Sequence, residues 1–529
     1  MLKTSQNPKY VILALLGGFV PFFVILWMTF VQTGGYYEYP LDDPYIHLAM
    51  SEQIAKGGYG VNAGEYASAA SSILFPFLLA PFASLSWHWL TPLLWGVFGL
   101  AASCFVWGRV TGHLALRAPD ITKTYLALLA LLGPLFLHLV GVSLQGMEHG
   151  LQVMAAMMVA YGLIRFAQDG EIRWFLVAGI LLSPALRFEG LAVACFACAV
   201  LLFSNRSKGA IAIGIGALIP VIAYGIAMTG LDLAPLPNSV LAKSAVVGGD
   251  THFVSGEEDT VLLTMISTLK ISFESASGRN LAALSVLWVM GAWIWRRRFS
   301  RTEILLALSI SAISGAHFLL GSVGFFFRYE IYAWSYGAVV SLYLLSKLWD
   351  NSETAARFAP VVFLLVVSVS GHHYLLQSFY TFPHASAAIG VQQKQMGRFV
   401  DDYVKGPVAV NDLGHVAYRN PHYVLDFWGL ASREALDARR DGRNPNWADD
   451  LIERYNVGVI MIYDSWFVGR MNPDWIKIGE MSITRPLGAL GGSAVSFHAV
   501  SESDVAKLTR DLENFAPTLP DGTKFKFVN

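Results

Sequence analysis

Apolar residues along this chain come in long, nearly unbroken runs, with polar residues gathered into the short stretches between them. A bilayer is crossed by a helix of about 20 apolar residues, and runs of that length recur from the N-terminus onward. They predict about eleven transmembrane helices, at 10–31, 91–110, 123–143, 148–166, 173–188, 190–204, 209–229, 281–296, 302–322, 330–348 and 357–377. The apolar stretch Ile73–Leu85 is shorter, holds Pro76 and Pro81, and follows the small polar residues ASAASS. Counting it as a span would turn the cluster Arg296–Arg298 outward, so it reads as a broken helix in the outer interface. The N-terminus, with Lys3 and Lys9, is then cytoplasmic, and everything after the eleventh span lies outside.

Near residue 384 the pattern changes. KQMGRFVDDYVKG has the spacing of an amphipathic helix, PVAVNDLGHVAY reads as a strand and turn, and YNVGVIMIYDS as a buried strand. The predicted fold is a polytopic α-helical membrane protein. Residues 1–380 form the transmembrane domain, with a first outer loop at 34–90, and 384–529 form a soluble extracytoplasmic α/β domain.

Composition agrees with that reading. The 529 residues are 54% hydrophobic and only 14% charged, where a soluble domain carries about 25%. The formal net charge of −1 offers no basic surface to a nucleic acid. Cys104, Cys195 and Cys198 lie in apolar segments and read as small buried hydrophobes rather than a disulfide framework. The first apolar run exceeds the core of a signal peptide and lacks a small-residue cleavage site, so it reads as a retained anchor in an inner or plasma membrane.

The polar residues that matter fall on the outer side of this topology. Asp42 and Asp43 sit just past the first span, and Pro44 opens a helical run over Tyr45–Lys56 that Gly57-Gly58 ends. The plain reading is a capped surface helix. The chemical reading is a carboxylate pair acting as general base or metal ligand. Four further clusters share that side: Gln145, Glu148 and His149; Arg187 and Glu189; Asn238 and Lys243; and Arg328, Tyr329 and Glu330. Each has a bland reading as cap, turn, local ion pair or interface anchor. Ionisable groups at membrane depth are costly, so their convergence on one face points to a site.

Such a face suits transfer from a lipid-linked phosphate donor, whose phosphate needs Arg or Lys at the interface. The assignment is Asp42 as base, Asp43 as its partner in sugar or metal binding, and Arg328, Lys243 or Arg187 as phosphate contacts. Asp42, Asp43 and Glu148 are the candidate ligands for a divalent cation (Mg, Mn or Ca). A transporter or lipid flippase, and a non-catalytic glycan-binding scaffold, are the competing classes.

In family order, LDDPYIHL, LQGMEHGLQ, LRFEG, PLPNSVLAK, FRYEIY and VAVNDLGHVAYRNPHYVLDFWGL resemble the GT-C superfamily of integral-membrane glycosyltransferases. The likeness is nearest to the branch holding the mycobacterial terminal arabinofuranosyltransferase. The resemblance implies a catalytic carboxylate at Asp42 or Asp43, and a polyprenyl-phosphate sugar donor, with an arabinofuranose-like pentose favoured. It also implies a glycan or glycoprotein acceptor in the cell envelope, bound with help from the tail. It places donor phosphate and sugar contacts on Glu148, His149, Arg187, Glu189, Asn238, Lys243, Arg328 and Tyr329. The family often has Arg-Pro-Glu-Gly where this chain has Arg187-Phe188-Glu189-Gly190. It also has aromatics where this chain has Val240 and Leu241, which leaves the sugar open.

Overall fold

The computed structural model describes residues 8–116, 118–243, 261–349, 353–441, 444, 446–468 and 471–528. Each of the eleven predicted runs is helical. Six helical segments among the described residues are long and apolar enough to cross a membrane: Pro8–Gln32, His88–Ala115, His149–Asp169, Ser207–Gly230, Arg301–Leu320 and Phe358–Val404. Trp174–Leu186 and Gly190–Phe203 are apolar but shorter. Large apolar side chains stand on the outside, among them Trp174 (77% exposed), Ile226 and Trp293 (each 69%). A water-soluble surface does not carry apolar area on that scale, whereas a lipid-facing one does.

The chain divides into two compact units. The first holds the described residues among 8–25, 92–223 and 261–380. At its centre is the helix His149–Asp169, buried along almost its whole length and packed against Trp174–Leu186 and Ile331–Trp349. The third predicted span, 123–143, is two helices, Asp120–Phe136 and Leu139–Leu144. The break is at His138, which adopts a left-handed backbone (φ 56°). Its imidazole stacks on Tyr374 at 4.7 Å and lies over Gly141, where a Cβ would come within 2.1 Å of Cε1. All three cysteines are unbridged, but Cys195 is exposed rather than buried as expected. On an apolar helix facing lipid that exposure costs nothing.

The second unit gathers 26–91, the described part of 224–250, and 381–528. Ile73–Leu85 contains only a five-residue helix, Phe75–Leu79, and a 3-10 turn, Ala80–Phe82, as its prolines dictate. The tail forms one six-stranded sheet: β1 (Val408–Val410), β2 (Val424–Asp426), β3 (Val459–Ile462), β4 (Ile476–Ile483), β5 (Ala494–Ala499) and β6 (Thr523–Phe527). The spatial order is β2-β1-β3-β5-β4-β6. β1 pairs in parallel with β2 and β3, and the remaining pairs are antiparallel. β1 and β3 are buried at every position, because helices cover both faces. On one face Trp447, Leu451 and Trp475 pack over Leu425, Phe427 and Ile460. On the other, Phe399 meets Phe497 at 5.5 Å and Phe515 at 4.9 Å.

The edge strand β2 does not end in open backbone. Asn62 accepts from Val424 N at 2.9 Å through Oδ1 and donates to Val424 O at 3.0 Å through Nδ2. One amide side chain thus completes the ladder of a strand more than 360 residues away. Asn62→Ala removes both bonds from a buried pair of main-chain groups, a loss of about 1–3 kcal/mol. The expected result is a lower unfolding temperature together with faster hydrogen exchange at the Val424 amide. Unchanged exchange at Val424 would remove this role from Asn62.

Candidate active site

In the second unit, Asp43–Ala55 is helical with Pro44 in its first turn. Asp42 occupies the N-cap position but makes no cap bond to its own helix. Its carboxylate turns to a different helix, the short Gly414–Ala417. Oδ2 accepts from Gly414 N at 2.6 Å, and Oδ1 from His415 N at 2.9 Å. Gly414 is required by closeness, since a Cβ there would lie 2.1 Å from the Asp42 carbonyl oxygen. The expected capped helix is therefore present, but Asp42 caps the tail rather than itself.

His415 ties the same junction a second time. Its ring stacks on Tyr45 at 3.6 Å, and its Nε2 lies 3.1 Å from Glu38 Oε1. Glu38 is buried, receives the Tyr45 hydroxyl, and has Lys394 Nζ at 3.4 Å. Burial alone would raise its pKa. His415, Lys394 and the Tyr45 hydrogen bond more than offset that and hold it below the usual carboxylate value.

Asp412 is the third aspartate here. It accepts from Gln393 Nε2 at 2.9 Å. Gln393 also donates to the Tyr463 hydroxyl at 2.8 Å, which donates to Gln392 Oε1 at 2.6 Å. Burial, then the charges of Asp42 and Asp43, push the Asp412 pKa up to about 7. Asp42 is raised too, by burial first and by Asp43 last, against the pull of His415 and the two main-chain donors. Asp43 heads its helix and remains partly exposed. The charge of Asp43 thus bears on the protons of both Asp42 and Asp412.

Sequence reasoning singled out neither Glu38, Gln393, Lys394, Asp412, His415 nor Tyr463. One signal was present for Asp412. It lies two residues past β1, and β1 stands between β2 on one side and β3 on the other. Ligands of α/β sheets gather beyond the carboxyl end of a parallel strand at such a reversal. Asn238 is buried and spent on structure: Nδ2 donates to Leu430 O at 3.1 Å, and Oδ1 accepts from Ser68 Oγ at 3.3 Å. The side chain of Lys243 lies outside the described residues.

The other expected residues come together in the first unit. Arg187 donates to Glu148 Oε1 at 2.7 Å, and bidentately to Glu189 at 2.7 and 3.2 Å. Its guanidinium lies 5.5 Å from the Tyr329 ring, and that of Arg328 lies 5.1 Å from the same ring. His149 is 5.9 Å from Tyr329. Arg328 follows three consecutive left-handed residues, Phe325 (φ 34°), Phe326 (φ 62°) and Phe327 (φ 49°). That is a strained run for non-glycine residues, and Gln145 Nε2 steadies it by donating to Phe326 O at 3.0 Å. Arg187 carries two carboxylates, and Arg328 donates to the Tyr329 hydroxyl at 3.2 Å.

Two of the three candidate ligands for a divalent cation, Asp42 and Glu148, are engaged with other groups. Among the described residues no three His, Cys, Asp or Glu side chains are arranged to hold a metal. Both Asp42 oxygens accept main-chain N–H groups, and Glu148 is bound to Arg187.

Residues 385–498 match a family described as a domain of unknown function (DUF8728). No curated protein matches in sequence. Among solved structures, the chain is similar to the oligosaccharyltransferase of Archaeoglobus fulgidus. The apo form aligns at 12% identity over 94% of this chain and 78% of that one, with a TM-score of 0.45. The complex with Zn and sulfate aligns at 11% over 92% and 73%, TM-score 0.48. The complex of that enzyme, AglB, with an inhibitory peptide and a dolichol-phosphate aligns at 10% over 94% and 77%, TM-score 0.44.

The carboxylate cluster makes a prediction about pH. A carboxyl whose pKa is raised by folding holds its proton more tightly in the folded chain, so ionising it costs stability. For Asp412 that cost sets in as pH rises past the ordinary value of 3.8 and is complete above about 7. The unfolding temperature should therefore fall between about pH 4 and about pH 8 in the native protein, and fall less in Asp412→Asn. Equal falls in the two proteins would show that Asp412 is not the group responsible.

Proposed function

We propose that the chain is a membrane-embedded glycosyltransferase that moves a sugar from a polyprenyl-phosphate donor to a cell-envelope glycan or glycoprotein. An arabinofuranose-like pentose is the favoured sugar. The reaction takes place on the outer face of the membrane, where the positive-inside count puts the first loop and the tail. The observation that carries this reading is the fixing of Asp42 by two main-chain N–H groups. It sets Asp43, at the partly exposed head of a helix, beside a carboxylate that cannot turn away. The ordered motifs shared with GT-C enzymes support the class, and the apolar surface supports the lipid-linked donor.

The roles shift within the pair. Asp42 is the positioning residue, because both its oxygens are occupied, and Asp43 is the base. The acceptor hydroxyl gives its proton to the Asp43 carboxylate as its oxygen forms the new bond to the anomeric carbon. The bond from that carbon to the phosphate oxygen breaks, and polyprenyl phosphate leaves with the electron pair. It needs little help from an acid, being already a good leaving group. Arg328 and Arg187, in the first unit, are assigned to phosphate by the chemistry of the guanidinium group.

Membranes from cells expressing the protein, supplied with radiolabelled polyprenyl-phosphate arabinose or a hexose counterpart, test this. Asp43→Asn should cut transfer by about 10²–10⁴-fold, the usual worth of a general base. Gly414→Ala should also lower it, by displacing Asp42. Full transfer by a folded Asp43→Asn protein would reject the base. An absence of transfer from either donor in wild type, with acceptor-rich membranes present, would reject the class.

A further inference from the structure

The amide network behind Asp412 has polar atoms left over, and the direction of each of its hydrogen bonds is fixed. Gln392 Nε2 donates to Gly492 O at 3.2 Å, so its Oε1 is the end that receives the Tyr463 hydroxyl proton, at 2.6 Å. The Tyr463 oxygen has then given its one proton, and it accepts from Gln393 Nε2 at 2.8 Å. The same Nε2 donates its other proton to Asp412 Oδ2 at 2.9 Å. Both protons of the Gln393 amide are thereby used, and its Oε1 is buried without a hydrogen-bond partner among the described residues. Asn411 repeats the pattern with the opposite atom. Its Oδ1 accepts from Tyr463 N at 2.9 Å, and its Nδ2 is buried without a partner among the described residues.

Gln393 and Asn411 are only 1% and 4% exposed. A buried polar atom left unpaired is costly, and folds retain one mainly where water or a ligand completes it. The place is right for a ligand. Asn411 and Asp412 follow β1 and Tyr463 follows β3, at the carboxyl ends of two parallel strands. Asp412 is partly exposed there, and so is Trp466, which packs on the Tyr463 ring at 5.4 Å. Asp412 also stands two residues before Gly414, whose N–H holds Asp42, the neighbour of Asp43.

Beside the assigned base there is thus a carboxyl oxygen, an amide oxygen and an amide N–H, with an aromatic side chain close by. Hydroxyl groups on adjacent carbons suit that set, because each both gives and accepts a proton. The ring that carries them suits the aromatic face. We propose that Asp412 and Gln393 hold the hydroxyl next to the one that reacts, so that the acceptor is a glycan presenting a vicinal diol. A Ser or Thr side chain has no second hydroxyl to fill the place. Asp412 accepts from that hydroxyl when ionised and can donate to it when protonated, so the contact holds in either state. The inference rests on the transferase reading above and names the acceptor chemistry that the reading leaves open.

Membranes carrying the whole chain would be given the labelled polyprenyl-phosphate donors and methyl glycosides of arabinofuranose and glucopyranose, intact or lacking one hydroxyl at a time. The linkage in the product identifies the reacting hydroxyl. Wild type should lose about 10–100-fold in kcat/KM when the neighbouring hydroxyl is absent, the size expected for a hydrogen bond to a charged group. Loss of a more distant hydroxyl should change little. Asp412→Ala should lower transfer to the intact glycoside by a similar factor and show no further loss with the neighbour-deoxy acceptor, whereas a merely structural role would preserve the difference. Equal kcat/KM for the intact and neighbour-deoxy acceptors in wild type overturns the proposal while leaving the transferase reading in place, and that arm needs no variant to fold. Transfer to a Ser- or Thr-bearing peptide but to no glycoside overturns it as well, as does a full deoxy penalty in folded Asp412→Ala. Transfer to no acceptor at all overturns the transferase reading, and this inference with it.

Discussion

The candidate site depends on one carboxylate reaching across the chain. Asp42 sits at the exit of the first helix, and its two oxygens hold the first N–H groups of the Gly414–Ala417 helix. A charged acceptor with two main-chain donors is among the stronger hydrogen-bonded arrangements available to a protein. Glu38, His415, Tyr45 and Lys394 close around the same junction, and Asn62 binds the loop to the edge of the sheet. The loop and the tail are thus one folded unit, although some 370 residues separate their contacts. Asp43 and Asp412 take their positions from that closure.

The first unit handles charge differently. Arg187 is buried and neutralised by Glu148 and Glu189, while Arg328 is buried against Phe325 and Tyr329. Taking ions out of water costs several kcal/mol each unless they are paired with good geometry. Flat aromatic rings supply part of that compensation for a guanidinium, which is weakly hydrated to begin with. The strained backbone at Phe325–Phe327 sits next to this cluster. Strain of that kind persists only where surrounding contacts over-determine it.

The helices were legible because their apolar runs are longer than any soluble core requires, and run length alone sets their positions. The break at His138 was not, because it comes from a ring folded over Gly141 and stacked on Tyr374, residues that no local pattern links. In the first unit, Arg187 and Glu189 announce their pairing by lying two residues apart, but their third partner, Glu148, comes from another helix. The acid pair at 42–43 stood out by its place after an apolar run. Its division of labour did not, because what distinguishes Asp42 from Asp43 is a helix end near residue 414. Asp412 is an intermediate case. A strand followed by Asn-Asp is visible in the sequence, whereas the reversal of strand order around β1 appears only once β2 and β3 are paired.

The long closure between Asp42 and Gly414 also has a consequence in time. A ribosome adds about 5–20 residues per second, so the loop bearing Asp42 waits roughly 20–75 s before its partner has been made. During that interval every apolar helix of the first unit except Pro8–Gln32 is synthesised, and the aspartates have no helix end to hold them. A chain cut short before the tail carries the acids but not the frame that orders them. Assembly of the centre therefore waits for residues 412–415, long after the acids at 42 and 43 have been made.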